Sequence, residues 1–432
     1  MCCQKSLVET LSSLVFIRVH SWFNGIVSDK PHSFVPARIH FITNGVFSTS
    51  IAGGDIHFLK LAAGAAAAGY ELNFFGGHAL KEVIEKHGLP GTVTLTDSGK
   101  MGKVDGGALR GQLAMFRDFF RRHRSTMRQL AMIGPDDFVY GVSDYWFDVM
   151  PTVRCAARRK LMVLHMEAPR LGQIVRSSRP DVDPLRLASL HYWASQERSL
   201  RAFARCPQKH LLYLHPAMQP RLERLGVHAE EMTLVSYGLE TAATRAVPKQ
   251  QRTYDVVWIG RVHRQKGVDD LLATLKWLSG RMENFRAMFI GNVREALAPR
   301  IAALGLEKQV EFSGFVTEEE KIRLFKASRI FLMPSKHEGS PRVIGEAIIC
   351  GTPVVAYDIP NYRPLFGDFC RYVPPFDLIA LQAAAEKEIV LMRSGVNYLD
   401  QLDLHRFEAE NSWETTQGRF LAALDQFSGG RK

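Results

Sequence analysis

Apolar residues come along this chain in short blocks set between polar, often glycine-bearing stretches, and the blocks alternate in character. RIHFIT, ELNFFGG, FVYGVS (138–143), KLMVLHM (160–166), HLLYL (210–214) and MTLVSYG (232–238) are brief and bounded by turn residues, which predicts buried strands. Between the first two lies DIHFLKLAAGAAAAGY, long enough for a helix and rich in small residues that let it lie close against a sheet. Strand, glycine loop, helix and strand in that order make a βαβ unit, and hence a parallel sheet. From Tyr254 the alternation resumes with greater regularity. YDVVWIG, FRAMFIG, VEFSGF, RIFLMPS and TPVVAYD read as strands. VDDLLATLKWLSG, APRIAALGL, TEEEKIRLFKAS and PRVIGEAIICG read as the helices between them, the third opened by Thr317 and an acidic first turn. The expected class is α/β.

The chain has 432 residues, too many for one ordinary core and suited to two domains with a cleft between them. Residues 37–238 are expected to form the first domain and 254–400 the second. Residues 239–253, polar and without a strong period, read as the linker. Residues 401–432 read as a helical tail, because NSWETTQGRFLAALDQF combines a polar start with an apolar stripe. Residues 1–36 read as an N-terminal extension; its SLVETLSSLVFIRVHSWF is interrupted by Glu9 and followed by no small-residue cleavage site. No run of about 18 apolar residues occurs, so no membrane-spanning helix is expected. The six cysteines form no C-x-x-C and have no His pair at zinc spacing, so free thiols and a cytoplasmic protein without a structural metal are expected.

The net charge of +11 is unevenly spread. Arg110 to Leu225 holds 20 lysines and arginines against 10 acids, a net of +10, and is densest in RDFFRRHRSTMR. A solvated helix face or an anionic membrane surface would each explain it. No zinc finger, helix-turn-helix or aromatic-interleaved RNA motif accompanies it, so nucleic acid is not an expected partner.

Chemistry concentrates in the second domain. SKHEGSPRVIGEAIICGTPVVA places Glu338 and Glu346 eight residues apart. Glu338 falls in the loop after the RIFLMPS strand and Glu346 about one turn inside the next helix. Ligands of open α/β sheets sit at the carboxyl ends of the strands. Free N–H groups at the helix start face an anion there. A carboxylate one turn further in can accept from two vicinal hydroxyls, such as those of a ribose. VWIGRVHRQKGV places Arg261 and Lys266 after another strand, and cations of persistent charge suit a diphosphate.

The two segments resemble the E-x7-E and G-R-x-x-x-x-K-G elements of retaining glycosyltransferases, in particular glycosyltransferase family 4 among the group 1 glycosyl transferases. The resemblance spans roughly residues 37–427 and is diffuse in the first domain. It implies a GT-B fold: two Rossmann-like doubly wound domains facing a cleft, with the C-terminal helix crossing back to the first. It also implies transfer of a sugar, with retained configuration, from a UDP-, GDP- or ADP-sugar to a glycan or lipid-linked acceptor, in surface polysaccharide or glycolipid assembly. An epimerase or hydrolase on the same fold, or a non-catalytic nucleotide-sugar binder, remain as alternatives.

By resemblance, Arg261 and Lys266 hold the diphosphate with the backbone at Ser340, Arg342 and Val343. Glu346 binds the ribose and Glu338 the donor sugar. Phe315 and Val316, in SGFVTEEE, flank the base. Gly54, in the Gly53–Gly54 pair, approaches the phosphate, although a plain βα turn would also explain it. His165, in LHMEAP, touches the donor sugar, unless it is a structural histidine; Glu167 is an acceptor-side candidate. No cofactor or metal is implied, and peripheral contact with the inner face of the cytoplasmic membrane is a further expectation. Two positions depart from the pattern. Arg342 is charged where an apolar residue is common, which raises the question of a charged acceptor, and Asn361 stands where glycine is common.

Overall fold

The first domain is built on seven parallel strands: β1 (Arg38–Ile42), β2 (Glu71–Gly76), β3 (Thr92–Leu95), β4 (Phe138–Gly141), β5 (Arg159–Leu164), β6 (Lys209–Tyr213) and β7 (Met232–Leu234). The second has six: β8 (Tyr254–Ile259), β9 (Ala287–Ile290), β10 (Val310–Gly314), β11 (Ser328–Met333), β12 (Val354–Tyr357) and β13 (Cys370–Val373). The orders are β3-β2-β1-β4-β5-β6-β7 and β10-β9-β8-β11-β12-β13. Both sheets therefore reverse winding direction beside their first strand, between β1 and β4 and between β8 and β11. Such a reversal opens a crevice at the carboxyl edge of a parallel sheet. The computed structural model describes residues 37–46, 53–97, 109–182 and 186–427. The N-terminal extension, Cys2 and Cys3 lie outside them.

Helices cover both faces of each sheet, which is why the strands are continuous apolar runs rather than alternating ones. In the first domain these are α1 (Gly53–Ala67), α2 (His78–Lys86), α3 (Leu109–Arg128), α4 (Trp146–Arg154), α5 (Leu171–Arg176), α6 (Leu187–Ala204) and α7 (Gln219–Arg224). After α8 (Thr241–Ala246) the second domain has α9 (Val268–Ser279), α10 (Arg294–Ala303), α11 (Glu318–Lys326), α12 (Arg342–Ile349), α13 (Arg363–Phe366) and α14 (Leu378–Arg393). Then come α15 (Leu404–Glu410) and α16 (Trp413–Asp425). Val256, Val257 and Trp258 of β8 and Ile330, Phe331 and Leu332 of β11 are fully buried. The reciprocal cap of α11 is formed: Thr317 Oγ1 accepts from the Glu320 N–H at 3.2 Å, and Glu320 Oε2 accepts from the Thr317 N–H at 2.9 Å.

The C-terminal helix returns to the first domain. Phe420, Ala423 and Leu424 of α16 are buried in the same core as Phe41, Phe74 and Tyr140. Gln417 Nε2 donates to the Lys60 carbonyl of α1 at 2.7 Å, and Gly64 admits that side chain, since a Cβ there would lie 2.8 Å from Gln417 Cγ. Helix α1 is thus held between the sheet and α16, which accounts for its lack of a polar face. The Leu239 N–H donates to the Asn411 carbonyl at 2.8 Å, so the chain's two passages between the domains are bonded to each other.

Edge strands β3 and β13 and the long α14 add to the elements that the apolar pattern predicts. Residues 239–253 contain the short helix α8, whose Thr241 and Thr244 are buried. The MTLVSYG segment is a strand only over Met232–Leu234. Four cysteines, Cys155, Cys206, Cys350 and Cys370, are buried free thiols. No described helix is long and apolar enough to cross a membrane.

Candidate functional site

Two loops leave the carboxyl ends of β8 and β11 on either side of the second domain's switch point, and they are stitched together. The Lys336 N–H donates to the Gln265 carbonyl at 2.7 Å, and Gln265 Nε2 donates to the His337 carbonyl at 2.7 Å. Lys266 Nζ donates to Glu338 Oε1 at 2.6 Å. The approach is close enough to demand glycine next to Lys266. Gly267 has φ +63°, and a Cβ on it would lie 1.9 Å from the Pro334 carbonyl oxygen. Lys266 and Glu338, 72 positions apart, form one buried ion pair, their side chains 16% and 9% exposed.

Helix α12 starts beyond this pair, with Pro341 as its N-cap, and its first N–H groups have no partner within the helix. Ser340, Arg342 and Val343 are half-buried at that end. Glu346, one turn in, is 5% exposed. Its Oε1 is held by Lys321 Nζ and Arg342 Nε, both at 2.9 Å. Its Oε2 is buried with no hydrogen-bond partner among the described residues.

Both departures from the sequence pattern have structural explanations. The Arg342 guanidinium is turned back onto Glu346, so its charge balances a neighbour rather than facing an acceptor. Asn361 Nδ2 donates to the carbonyls of Glu338 and Gly339, at 2.5 and 3.2 Å, and fixes the loop that carries Glu338. Lys321 was missed altogether. Its one signal was a lysine on the face of α11 that also buries Ile322 and Phe325.

The first domain meets this site at His165 and Met166, just after β5. A Cβ on Gly339 would lie 3.1 Å from Met166 Cβ and 3.2 Å from the His165 carbonyl oxygen. His165 follows β5, and its Nε2 faces the Val142 carbonyl at 3.1 Å while Nδ1 is buried with no partner among the described residues. Burial lowers its pKa, so the ring is neutral at physiological pH. Behind it His57, with Nε2 facing the Val235 carbonyl, is lowered to about 3, by burial first and by His165 second. Gly54 lies against His165, where a Cβ would be 3.5 Å from the ring. Lys266, Glu338, Gly339, His165 and Gly54 therefore form one contiguous line across the two domains.

Arg261 and Phe315 stand outside that line. Arg261 is exposed, with no ion pair among the described residues; Phe315 is 86% exposed and Val316 packs on the second core. The carboxylate of Glu167 is 3.9 Å from Arg221. The triplet Asp181-Val182-Asp183 has metal-ligand spacing. Asp181, however, is clamped by Arg179 at 2.7 and 2.5 Å, and Asp183 lies outside the described residues.

A cavity of about 260 Å³ opens beside His165 and Gly54, walled by Phe119, Tyr145 and Phe147, with Asp148 at its base. Asp148 is fully buried and accepts from the Asn44 N–H at 2.8 Å and the Ser143 hydroxyl at 2.5 Å. Burial raises its pKa to about 7. Larger cavities of about 570 and 500 Å³ lie at the amino ends of the strands, around Arg38 and Glu71 and around Arg252 and Gly351, away from the edge where such sheets bind ligands.

Residues 241–387 match the family model of glycosyl transferases group 1. The matched stretch runs from α8 into α14 and contains both stitched loops and α12. A 2-deoxystreptamine N-acetyl-D-glucosaminyltransferase of Streptomyces fradiae is 32% identical over 136 residues, covering 30% of this chain and 32% of that protein. An alpha-D-kanosaminyltransferase of Streptomyces kanamyceticus is 26% identical over 200 residues, 44% of this chain and 49% of that one. The chain thus spans about a third to a half of the length of these curated relatives. Among solved structures, a sucrose-phosphate synthase from Thermosynechococcus elongatus superposes with a TM-score of 0.67 at 17% identity, over 91% of this chain and 99% of that one. Anabaena HepE in complex with UDP and glucose gives 0.62 at 17% identity, over 90% and 99%. The likeness covers both domains, and the fold is that of the GT-B glycosyltransferases.

Proposed function

We propose that this chain transfers a sugar from a nucleoside diphosphate sugar to an acceptor hydroxyl, with retention of configuration, in the manner of glycosyltransferase family 4. The observation that carries this reading is the buried Lys266–Glu338 pair, which brings the two motif loops together at the switch point beside the start of α12. The group 1 match over the same residues supports it.

In this reading the donor lies along the carboxyl edge of the second sheet. Arg261, Lys266 and the amides of Ser340, Arg342 and Val343 hold the diphosphate. The free Oε2 of Glu346 accepts from the ribose hydroxyls, and the backbone at Phe315 and Val316 flanks the base. Glu338 and the neutral His165 contact the sugar, and Gly54 lets backbone approach the phosphate. The departing diphosphate gains negative charge in the transition state, and fixed cations with helix amides are placed to stabilise it without a resident metal. Attack comes from the same face that the diphosphate leaves, with a leaving-group oxygen assisting the acceptor, so no side chain serves as a covalent nucleophile. The acceptor is a glycan or glycolipid of surface polysaccharide assembly, entering from the cavity beside His165. Closed domains exclude water and limit hydrolysis.

A melting-temperature screen against UDP-, GDP- and ADP-sugars tests donor binding. A ligand at a hundredfold its Kd stabilises by about 2.7 kcal/mol, so a rise of a few degrees is expected with donors of one base. No rise with any donor or free nucleoside diphosphate would refute the reading.

A further inference from the structure

Helix α3 turns Arg122 inward, to Asp118 at 2.7 Å, Asp97 at 3.1 Å and the Val46 carbonyl at 2.7 Å. The opposite face carries Arg110, Arg117, Arg121, Arg124 and Arg128, all exposed. Their spacing of seven, four, three and four residues keeps them on one stripe. None is ion-paired to a described residue, and the helix's described acid, Asp118, is taken by Arg122. Leu113 and Phe120 share the stripe, 55% and 66% exposed. Beside Phe120 a groove of about 430 Å³ is lined by Trp146, Met150 and His191, with the exposed Arg154 and Arg198 at its rim and no carboxylate in its lining. The Phe120 and Trp146 rings are 5.2 Å apart.

We propose that this face docks on a bilayer surface rich in anionic lipid. Arginines in a line, without ion pairs among the described residues, meet headgroup phosphates, while Phe120, Leu113 and the apolar groove beside them reach the acyl boundary. A purely solvated face would pair its arginines with acids or keep its apolar residues inside, and among the described residues this face does neither. A single nucleic-acid strand uses a row of aromatic platforms along its cations, whereas here Phe120, Trp146 and His191 cluster at one groove and the arginine stripe itself carries the aliphatic Leu113. The placement also has a consequence for reach. Phe119, next to Phe120, walls the cavity beside His165, so the docking face and that cavity lie on two sides of one helix. The docking stands independently of which reaction the cleft performs.

The test is co-sedimentation of the full chain with phosphatidylcholine vesicles, with and without phosphatidylglycerol, at low and high salt. Binding is expected only with phosphatidylglycerol and should fall steeply as salt screens the surface. Each arginine near an anionic surface contributes about fivefold, so the combined Arg117→Glu, Arg121→Glu and Arg124→Glu variant should lose more than about a hundredfold. Phe120→Ser, which keeps every charge, should lose several-fold, and it serves if the triple variant fails to fold. Absent binding, equal binding to pure phosphatidylcholine, or indifference to both substitutions would overturn the proposal. So would an RNA oligonucleotide that binds as tightly as the anionic vesicles and displaces them.

Discussion

Lys266→Ala is expected to lower turnover by roughly 10²–10³-fold, the cost of removing one fixed donor from a developing oxyanion. Stability should also drop, because Glu338, whose side chain is 9% exposed, is left as a buried charge without its 2.6 Å partner. Breaking such a pair costs on the order of 3 kcal/mol, so lost activity alone would not separate chemistry from folding. A second variant separates them. Lys266→Met combined with Glu338→Gln removes both charges and keeps the volume, so most of the lost stability should return. Turnover should not, because the cation facing the diphosphate is still missing. Thermal melts alongside steady-state rates check both halves. Near wild-type turnover in the double variant would mean that the pair is only a structural clasp between the two loops.

The second large effect is expected at Glu346, and it concerns affinity. Oε1 is held by Lys321 and Arg342, and Oε2 has no hydrogen-bond partner among the described residues, so in the proposed function Oε2 is the oxygen that accepts from the ribose. A hydrogen bond to a charged group contributes about 1.5–3 kcal/mol, so Glu346→Ala should raise the Kd for the nucleoside diphosphate by roughly 10–100-fold. The fold should tolerate the change, since Lys321 keeps Glu318 at 2.8 Å. Inorganic diphosphate has no ribose, and its binding should be nearly unaffected. Calorimetric titration of both ligands reads the difference. Equal losses for the two would place Glu346 at the phosphates instead.

Much of the second domain was legible in the sequence because its central strands β8, β9, β11 and β12 are buried on both faces. Runs such as VVWI and IFLM then stand out without any alternation to decode. The Thr317 cap was legible for a similar reason, since Thr317 and Glu320 satisfy each other within one turn. Features fixed by distant partners were not legible. Glu338 could be seen, but its bond to Lys266 joins positions 72 apart. Lys321 acquires its meaning from Glu346 on a different helix, and Asn361 from two carbonyls that precede it by more than twenty residues. Strand β3, TVTL, is half-exposed at a sheet edge, so its pattern is too weak to stand alone. Arg342 shows the same limit in the other direction. A charge that looked available for an acceptor is neutralised one turn along its own helix.

The most direct measurement of the central claim follows the sugar itself. Purified protein is incubated with the donor that raises its melting temperature and with a glycan or glycolipid acceptor fraction. The products are resolved by nuclear magnetic resonance at the anomeric position. Acceptor-dependent release of the nucleoside diphosphate and a new glycoside with the donor's anomeric configuration are expected, both lost in the Lys266→Met, Glu338→Gln variant. Free sugar without a glycoside, or a glycoside of inverted configuration, would contradict the proposed transfer.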